Sequence, residues 1–125
     1  MKKMTLLAAT ALLLCGCSTT PVLPEAQTIM VSTNPAPHSC KYLGQVVGNQ
    51  GNFFTGSFTS NKNLEQGSMN DLKNQAAKMG ANYIQIITSR AGATGALGSN
   101  GGSFMQTNVT NTGNVYNCPP AALNE

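Results

Sequence analysis

Few side chains in this sequence can do covalent or acid–base chemistry: four cysteines, one histidine and four carboxylic acids among 125 residues. His38 and Cys40 stand two residues apart, a pairing in which an imidazole could serve as base to a thiol nucleophile. Residues so spaced on a strand need not meet productively, so the pair is weak support for catalysis. Glu65 and Asp71 are the carboxylates within the body of the chain, and a two-carboxylate hydrolase would need both in one cleft. A zinc site draws several His, Cys or carboxylate ligands, whereas His38 is the single histidine. The sequence has no P-loop, nucleophile elbow or dinucleotide-binding glycine fingerprint. From the residues alone we therefore expect no catalytic residue, metal, cofactor or small-molecule substrate.

The composition narrows the field further. Asn, Gln, Ser, Thr and Gly supply 56 residues, while charged residues make up 9% of the chain. Such a polar, uncharged balance does not fit a charged disordered tail. A formal charge of +3 without clustered Lys and Arg argues against a nucleic-acid binder. Trp is absent and there are seven aromatic residues, three Tyr and four Phe, which makes a base-stacking platform improbable.

Two of the cysteines sit in a segment with its own logic. Met1-Lys2-Lys3 is positive and Met4 to Leu14 is apolar, the first two parts of a secretory signal. The run is too short to cross a bilayer as a helix, which needs ~20 apolar residues. Leu14-Cys15-Gly16-Cys17-Ser18 follows and resembles the bacterial lipoprotein signal, in which an aliphatic and two small residues precede an obligatory Cys. Cys17, with Gly16 before it, fits this pattern, whereas Cys15 would require cleavage after the bulky Leu14. The resemblance implies a signal peptide over residues 1–16 and a mature chain starting at a lipidated Cys17. Ser18 in the second mature position implies the outer membrane, with the domain facing the periplasm. The alternative is an ordinary secreted protein cut nearby.

The remaining residues must form elements that position these groups. Residues 17–27, with Thr19, Thr20, Pro21 and Pro24, read as the lipidated end and an extended tether. A domain over 28–119 and a short tail over 120–125 follow. Thr28 to Thr33 and Lys41 to Val47 read as strands, and Asn49 to Asn63 as a loop. Ser68 reads as a helix cap with Asp71 at the third helical position, and Met69, Leu72, Ala76 and Met79 share one face. Gly80 closes that helix. Asn82 to Ser89 is a third strand, Arg90 to Ser103 a Gly-rich mobile loop and Phe104 to Cys118 a last strand. The class is α+β: a small β-β-α-β-β domain with a four-stranded sheet, one helix on one face and one disulfide.

That disulfide follows from the lipoprotein reading. Cys15 leaves with the signal and Cys17 carries lipid, so Cys40 and Cys118 remain to pair in an oxidising compartment. The bond would make the second and last strands antiparallel neighbours, with Tyr42 opposite Tyr116 and Leu43 opposite Val115. The alternative leaves Cys40 as a nucleophile with His38. Phe53, Phe54 and Phe58 fall in the loop between the second strand and the helix, either as caps over the sheet or as a contact patch for another envelope protein or the membrane.

Three stretches carry a wider likeness: Cys40-Lys41-Tyr42-Leu43-Gly44-Gln45-Val46-Val47-Gly48, Asn70 to Asn82, and Gly113-Asn114-Val115-Tyr116-Asn117-Cys118. Together they resemble the YjeI-like small lipoproteins, a family classed as a domain of unknown function. The resemblance implies the fold and the cysteine pair and supplies no activity. A fainter similarity to the Rcs envelope-stress sensor lipoprotein lies in the Leu-Gly-x-Val-x-Gly strand and in the end of the helix. That relative has two disulfides and a longer tether. The expected function is a non-enzymatic outer-membrane lipoprotein that contacts another envelope component. The alternatives are a stress sensor and a periplasmic hydrolase.

Overall fold

A computed structural model describes residues 19–52, 59–98 and 101–124, with the side chains of 94–98 and 101–105 outside the description. Its elements are β1 (Met30–Ser32), β2 (Lys41–Gly51), α1 (Asn61–Lys78), β3 (Tyr83–Gly98) and β4 (Gly101–Asn117). The four strands form one sheet in the order β1-β3-β4-β2. β1 is parallel to β3, and β4 is antiparallel to both β3 and β2. β4 therefore runs alone against three strands of common direction, filling the gap that the β2-α1-β3 crossover leaves. The expected α+β class, the four strands and the helix on one face are all present.

α1 begins earlier than its apolar pattern indicates. Ser60, not Ser68, is the cap, and its hydroxyl accepts the Asn63 amide at 3.2 Å. Ser68 is instead fully buried mid-helix; its hydroxyl donates to the Gly48 carbonyl at 3.0 Å and accepts from Asn111 Nδ2 at 2.8 Å. The first three turns bury Leu64, Gly67, Ser68 and Asn70, a face too small and polar to show as apolar periodicity. Asp71 is likewise no capping residue: its Oδ2 accepts the Asn49 amide at 2.9 Å. The helix ends as expected. Gly80 takes a φ of +79°, and the amides of Gly80 and Ala81 return to the carbonyls of Ala77 and Ala76 at 3.0 and 3.1 Å. This is the paired closure that a glycine after the C-cap permits.

The main core gathers Ala26, Ile29, Val46, Leu72, Ala76, Ala81, Ile84 and Val115 between helix and sheet. Ala26 lies in the segment expected to be a tether, yet it is completely buried. Pro24–Ala26 forms a 3-10 turn there, with Val22 and Leu23 packed on the same core. The tether is thus part of the domain from Thr20 onward. The tail behaves in the same way: Pro120–Asn124 forms another 3-10 turn and buries Ala122 against Tyr83 and Cys118.

Residues 90–98 and 101–103 correct a second expectation. They belong to β3 and β4, paired from Arg90↔Thr110 out to Gly98↔Gly101 with a register shift between Gly92 and Ala93, rather than to a mobile loop. β2 stops pairing at Gly51↔Asn108, so the outer hairpin projects past the third strand. The arm's repeated glycines and few apolar residues look like loop in sequence. Likewise β2 runs through Gly51 into the stretch expected to be loop, and the Thr28–Thr33 strand shortens to Met30–Ser32.

Asn82 joins the helix exit to the end of β4. Its Nδ2 donates to the Cys118 carbonyl at 2.8 Å, and its Oδ1 accepts the Cys118 amide at 2.7 Å. Truncation would leave two backbone groups beside a buried cysteine without partners. Asn82→Ala should therefore cost about 2 kcal/mol, read from urea unfolding. Asn82→Asp, which keeps the acceptor but loses the donor, should fall between Ala and wild type. Equal stability of wild type and Ala would show that the fork contributes nothing.

Candidate functional site

The structure brings one of the cysteine pairs together. Cys40 and Cys118 have Cα atoms 4.1 Å apart and their sulfurs at bonding distance, 2.12 Å. The bond joins the start of β2 to the residue after β4, with Lys41↔Asn117 and Tyr42↔Tyr116 next in register. Tyr42 does oppose Tyr116. Leu43 does not oppose Val115, because a bulge between Tyr42 and Gly44 inserts one residue, and Gly44 takes that place. Cys17 and Ser18 lie outside the described residues, as do Phe53, Phe54 and Phe58.

The acid–base candidates are dispersed. His38 is an exposed turn residue at the disulfide end, two positions before the bonded Cys40. Glu65 and Asp71 lie on opposite flanks of α1. Glu65 lines a cavity of about 350 Å³ with Met69, Ser89, Ala91, Val109 and Asn111, beside β3. Asp71 faces β2, where its Oδ2 accepts from the Asn49 amide and from Gln75 Nε2 at 2.9 and 3.2 Å. The two carboxyl groups therefore do not share a cleft. A second cavity, about 230 Å³, has Met30, Ser32, Asn34, Pro35, Pro37, Tyr83, Ala122 and Leu123 around it, and no carboxylate or histidine. Among the described residues no three His, Cys, Asp or Glu side chains cluster as metal ligands would. No described helix is long and apolar enough to cross a membrane.

What the fold does present is a broad sheet face opposite α1. Strand alternation places Tyr42, Gln45, Val47 and Asn49 of β2 there, beside Tyr116, Asn114, Thr112 and Thr110 of β4. β3 adds Tyr83, Gln85, Thr88 and Arg90 by register. Three tyrosines cross one end edge to face, with ring centroids 5.5 Å apart for Tyr42–Tyr116 and 6.2 Å for Tyr83–Tyr116. Gln45 Nε2 donates to Asn114 Oδ1 at 3.3 Å. Met30, Tyr42 and Val47 are 43%, 55% and 44% exposed on this face. The surface thus combines amides, hydroxyls and exposed apolar groups, with Arg90 as the charged residue at its far end.

A further set of polar residues holds the N-terminal segment against α1. Asn70 Nδ2 donates to the Thr20 carbonyl at 2.8 Å and Asn74 Nδ2 to the Pro21 carbonyl at 2.9 Å. Asn74 Oδ1 accepts the Leu23 amide at 2.8 Å, and Gln50 Oε1 accepts from both the amide and the hydroxyl of Thr20. Sequence reasoning missed these residues. The available signal was the spacing of Asn70 and Asn74, four apart and so on one helix face.

The family model described as "Domain of unknown function (DUF4156)" matches residues 20–118, from the clasped Thr20 to the bonded Cys118. "Uncharacterized protein YjeI" of Escherichia coli K12 is 36% identical over 110 residues, which is 87% of this chain and 89% of that protein. The YjeI proteins of Escherichia coli O6:H1 and of Shigella flexneri match to the same extent. The matched span takes in both cysteines of the disulfide, the N-terminal strap of residues 20–23 that Gln50, Asn70 and Asn74 clasp, and all four strands, and on that basis the chain belongs to the DUF4156 family.

Proposed function

We propose that this chain is a non-enzymatic lipoprotein of the outer membrane, anchored through Cys17, whose open sheet face contacts another component of the cell envelope. The observation that carries the reading is that face itself, where Tyr42, Val47 and Met30 are exposed among amides and hydroxyls. The positive start, the apolar run and Leu14-Cys15-Gly16-Cys17 support the anchor. Acyl chains would make attachment effectively stable, because each buried CH₂ contributes about 0.8 kcal/mol. The dispersal of His38, Glu65 and Asp71 supports a role in binding rather than hydrolysis.

Two measurements test this proposal. A fatty-acid analogue should label the wild-type protein in cells, and Cys17→Ala should abolish that label; label that survives the substitution would remove the anchor. A photo-crosslinker placed at Val47 or Asn114 in envelopes should give one discrete adduct, while the same group at Lys78, on the exposed end of α1, should give none. Equal crosslinking at all three positions would rule out a specific face.

A further inference from the structure

From the strap and the outer hairpin we infer that the β3–β4 arm, residues 93–98 and 101–106, rests on the lipid surface that holds the anchor. The inference builds on the lipidated Cys17 proposed above. Three observations carry it: the length of the leash, its direction, and the composition of the arm.

The clasp on Thr20 leaves only Ser18 and Thr19 between the fixed domain and Cys17. A fully extended chain spans at most ~3.6 Å per residue, so the Cys17 Cα lies within about 11 Å of the Thr20 Cα. Thr20 is bound to Gln50, and Gln50 and Ala91 both pair with Val109, so all of them stand at one level along the strands. From that level β3 continues seven more residues, Gly92 to Gly98. At ~3.3 Å per residue this is about 23 Å, twice the reach of the leash.

The directions agree. The strap runs from Thr20, held by Asn70, to Leu23, held by Asn74, so read backward it points to the N-terminal end of α1. α1 follows β2, and its start lies at the Gly51 end of β2, where Leu64 closes on Gly51. The arm leaves the sheet from this same end, beyond Gly51↔Asn108. A leash that exits beside a longer arm brings the arm to the membrane before the anchor is taut.

The composition suits an interfacial position. No charged residue occurs between Arg90 and Glu125, so the arm would desolvate no ion at the surface, while Leu97, Phe104 and Met105 supply apolar groups. Its inward backbone groups pair across the hairpin, while the outward ones need water or headgroups, so the arm belongs at the interface and not within the hydrocarbon. The arm is thus an uncharged hairpin projecting at the anchored end, and the partner it fits is a bilayer surface.

The test uses the full lipidated protein in vesicles of phosphatidylethanolamine and phosphatidylglycerol. An environment-sensitive fluorophore is attached to a single introduced cysteine, Leu97→Cys or Phe104→Cys, with Asn34→Cys at the disulfide end as control. The native pair is bonded and the anchor sulfur is acylated, so the label has one target. The arm probes should emit at shorter wavelength and be quenched several-fold more by spin-labelled lipid than the Asn34 probe. A flexible Gly/Ser linker inserted between Thr19 and Thr20 should return them to the aqueous signal. Arm probes as water-exposed as the control, on protein that floats with the vesicles, would overturn the inference and leave the anchor standing. Arm quenching that persists with the linker would overturn the leash as its cause. Protein that carries no acyl group and does not float would overturn the anchor and the inference with it.

Discussion

Removing the Cys40–Cys118 bond should lower the stability of the domain by roughly 4–5 kcal/mol on the loop-entropy model, the largest effect expected of any local change. The bond closes a sequence separation of 78 residues, which encompasses β2, α1, β3 and β4. Small domains have total stabilities of about 5–15 kcal/mol, so this one constraint supplies a large fraction. The site amplifies the loss. Cys118 is 2% exposed and packs with Tyr83 and Ala122, while Cys40 anchors the start of β2, an edge strand with a single partner. Without the bond, Lys41↔Asn117 and Tyr42↔Tyr116 are held by the ladder alone, next to a bulge that already interrupts it. The measurement is urea unfolding of the oxidised protein, the reduced protein and the Cys40→Ala/Cys118→Ala variant. With a slope of about 1–2 kcal/mol/M, the midpoint should fall by roughly 2–5 M in both altered forms. Agreement between the reduced form and the double variant separates the cross-link from the packing of the sulfurs. Midpoints unchanged in both would falsify the assignment of a stabilising bond.

The same residues explain what could be read from the sequence. Cys40 and Cys118 were legible because the expected anchor at Cys17 leaves them a single pairing, and that pairing places β2 beside β4. Gly80 was legible because a helix ending in Met79-Gly80 leaves few alternatives for the chain. The start of α1 was not, since its first buried turns present Gly67 and Ser68 to the sheet. Those residues are small or polar because the helix there lies almost in contact with β2, a tertiary fact with no signature in local periodicity. The outer arm was hidden for the opposite reason. Its strands carry the glycines of a loop, and beyond Gly51↔Asn108 their described pairing is with each other. The strap was hidden by its prolines, which suit both a free tether and the 3-10 turn that buries Ala26. Of the expected site, the dispersal of His38, Glu65 and Asp71 could not be read at all, because Ser68 set the expected helix register and placed Asp71 at a cap.

Gly48 marks the closest approach of helix and sheet, and Gly48→Ala should destabilise the domain by about 3 kcal/mol or more, the upper end for overpacking a tight site. A Cβ built on Gly48 would lie 2.5 Å from the Leu72 nitrogen, 2.5 Å from the Ser68 carbonyl oxygen and 2.7 Å from the Leu72 Cα. All three are backbone atoms of α1, so no rotamer change relieves the clash and the helix must move bodily off β2. That movement would also break the bond from the Ser68 hydroxyl to the Gly48 carbonyl, and with it the support for Asn111 Nδ2. Leu72 and Ala76, both fully buried in the central core, would be drawn from Val46, Ile84 and Val115. Ser68→Gly relieves none of the clash, because the obstructing atoms belong to the main chain. A control separates this effect from glycine's general flexibility: Gly80→Ala, where no atom lies within 4 Å but φ is +79°, should cost only about 1–2 kcal/mol through αL strain. Urea midpoints of the two variants should therefore fall in the order wild type, Gly80→Ala, Gly48→Ala. A Gly48→Ala protein as stable as Gly80→Ala would mean that α1 has room to lift, and that the Ser68–Gly48 contact does not set the spacing of helix and sheet.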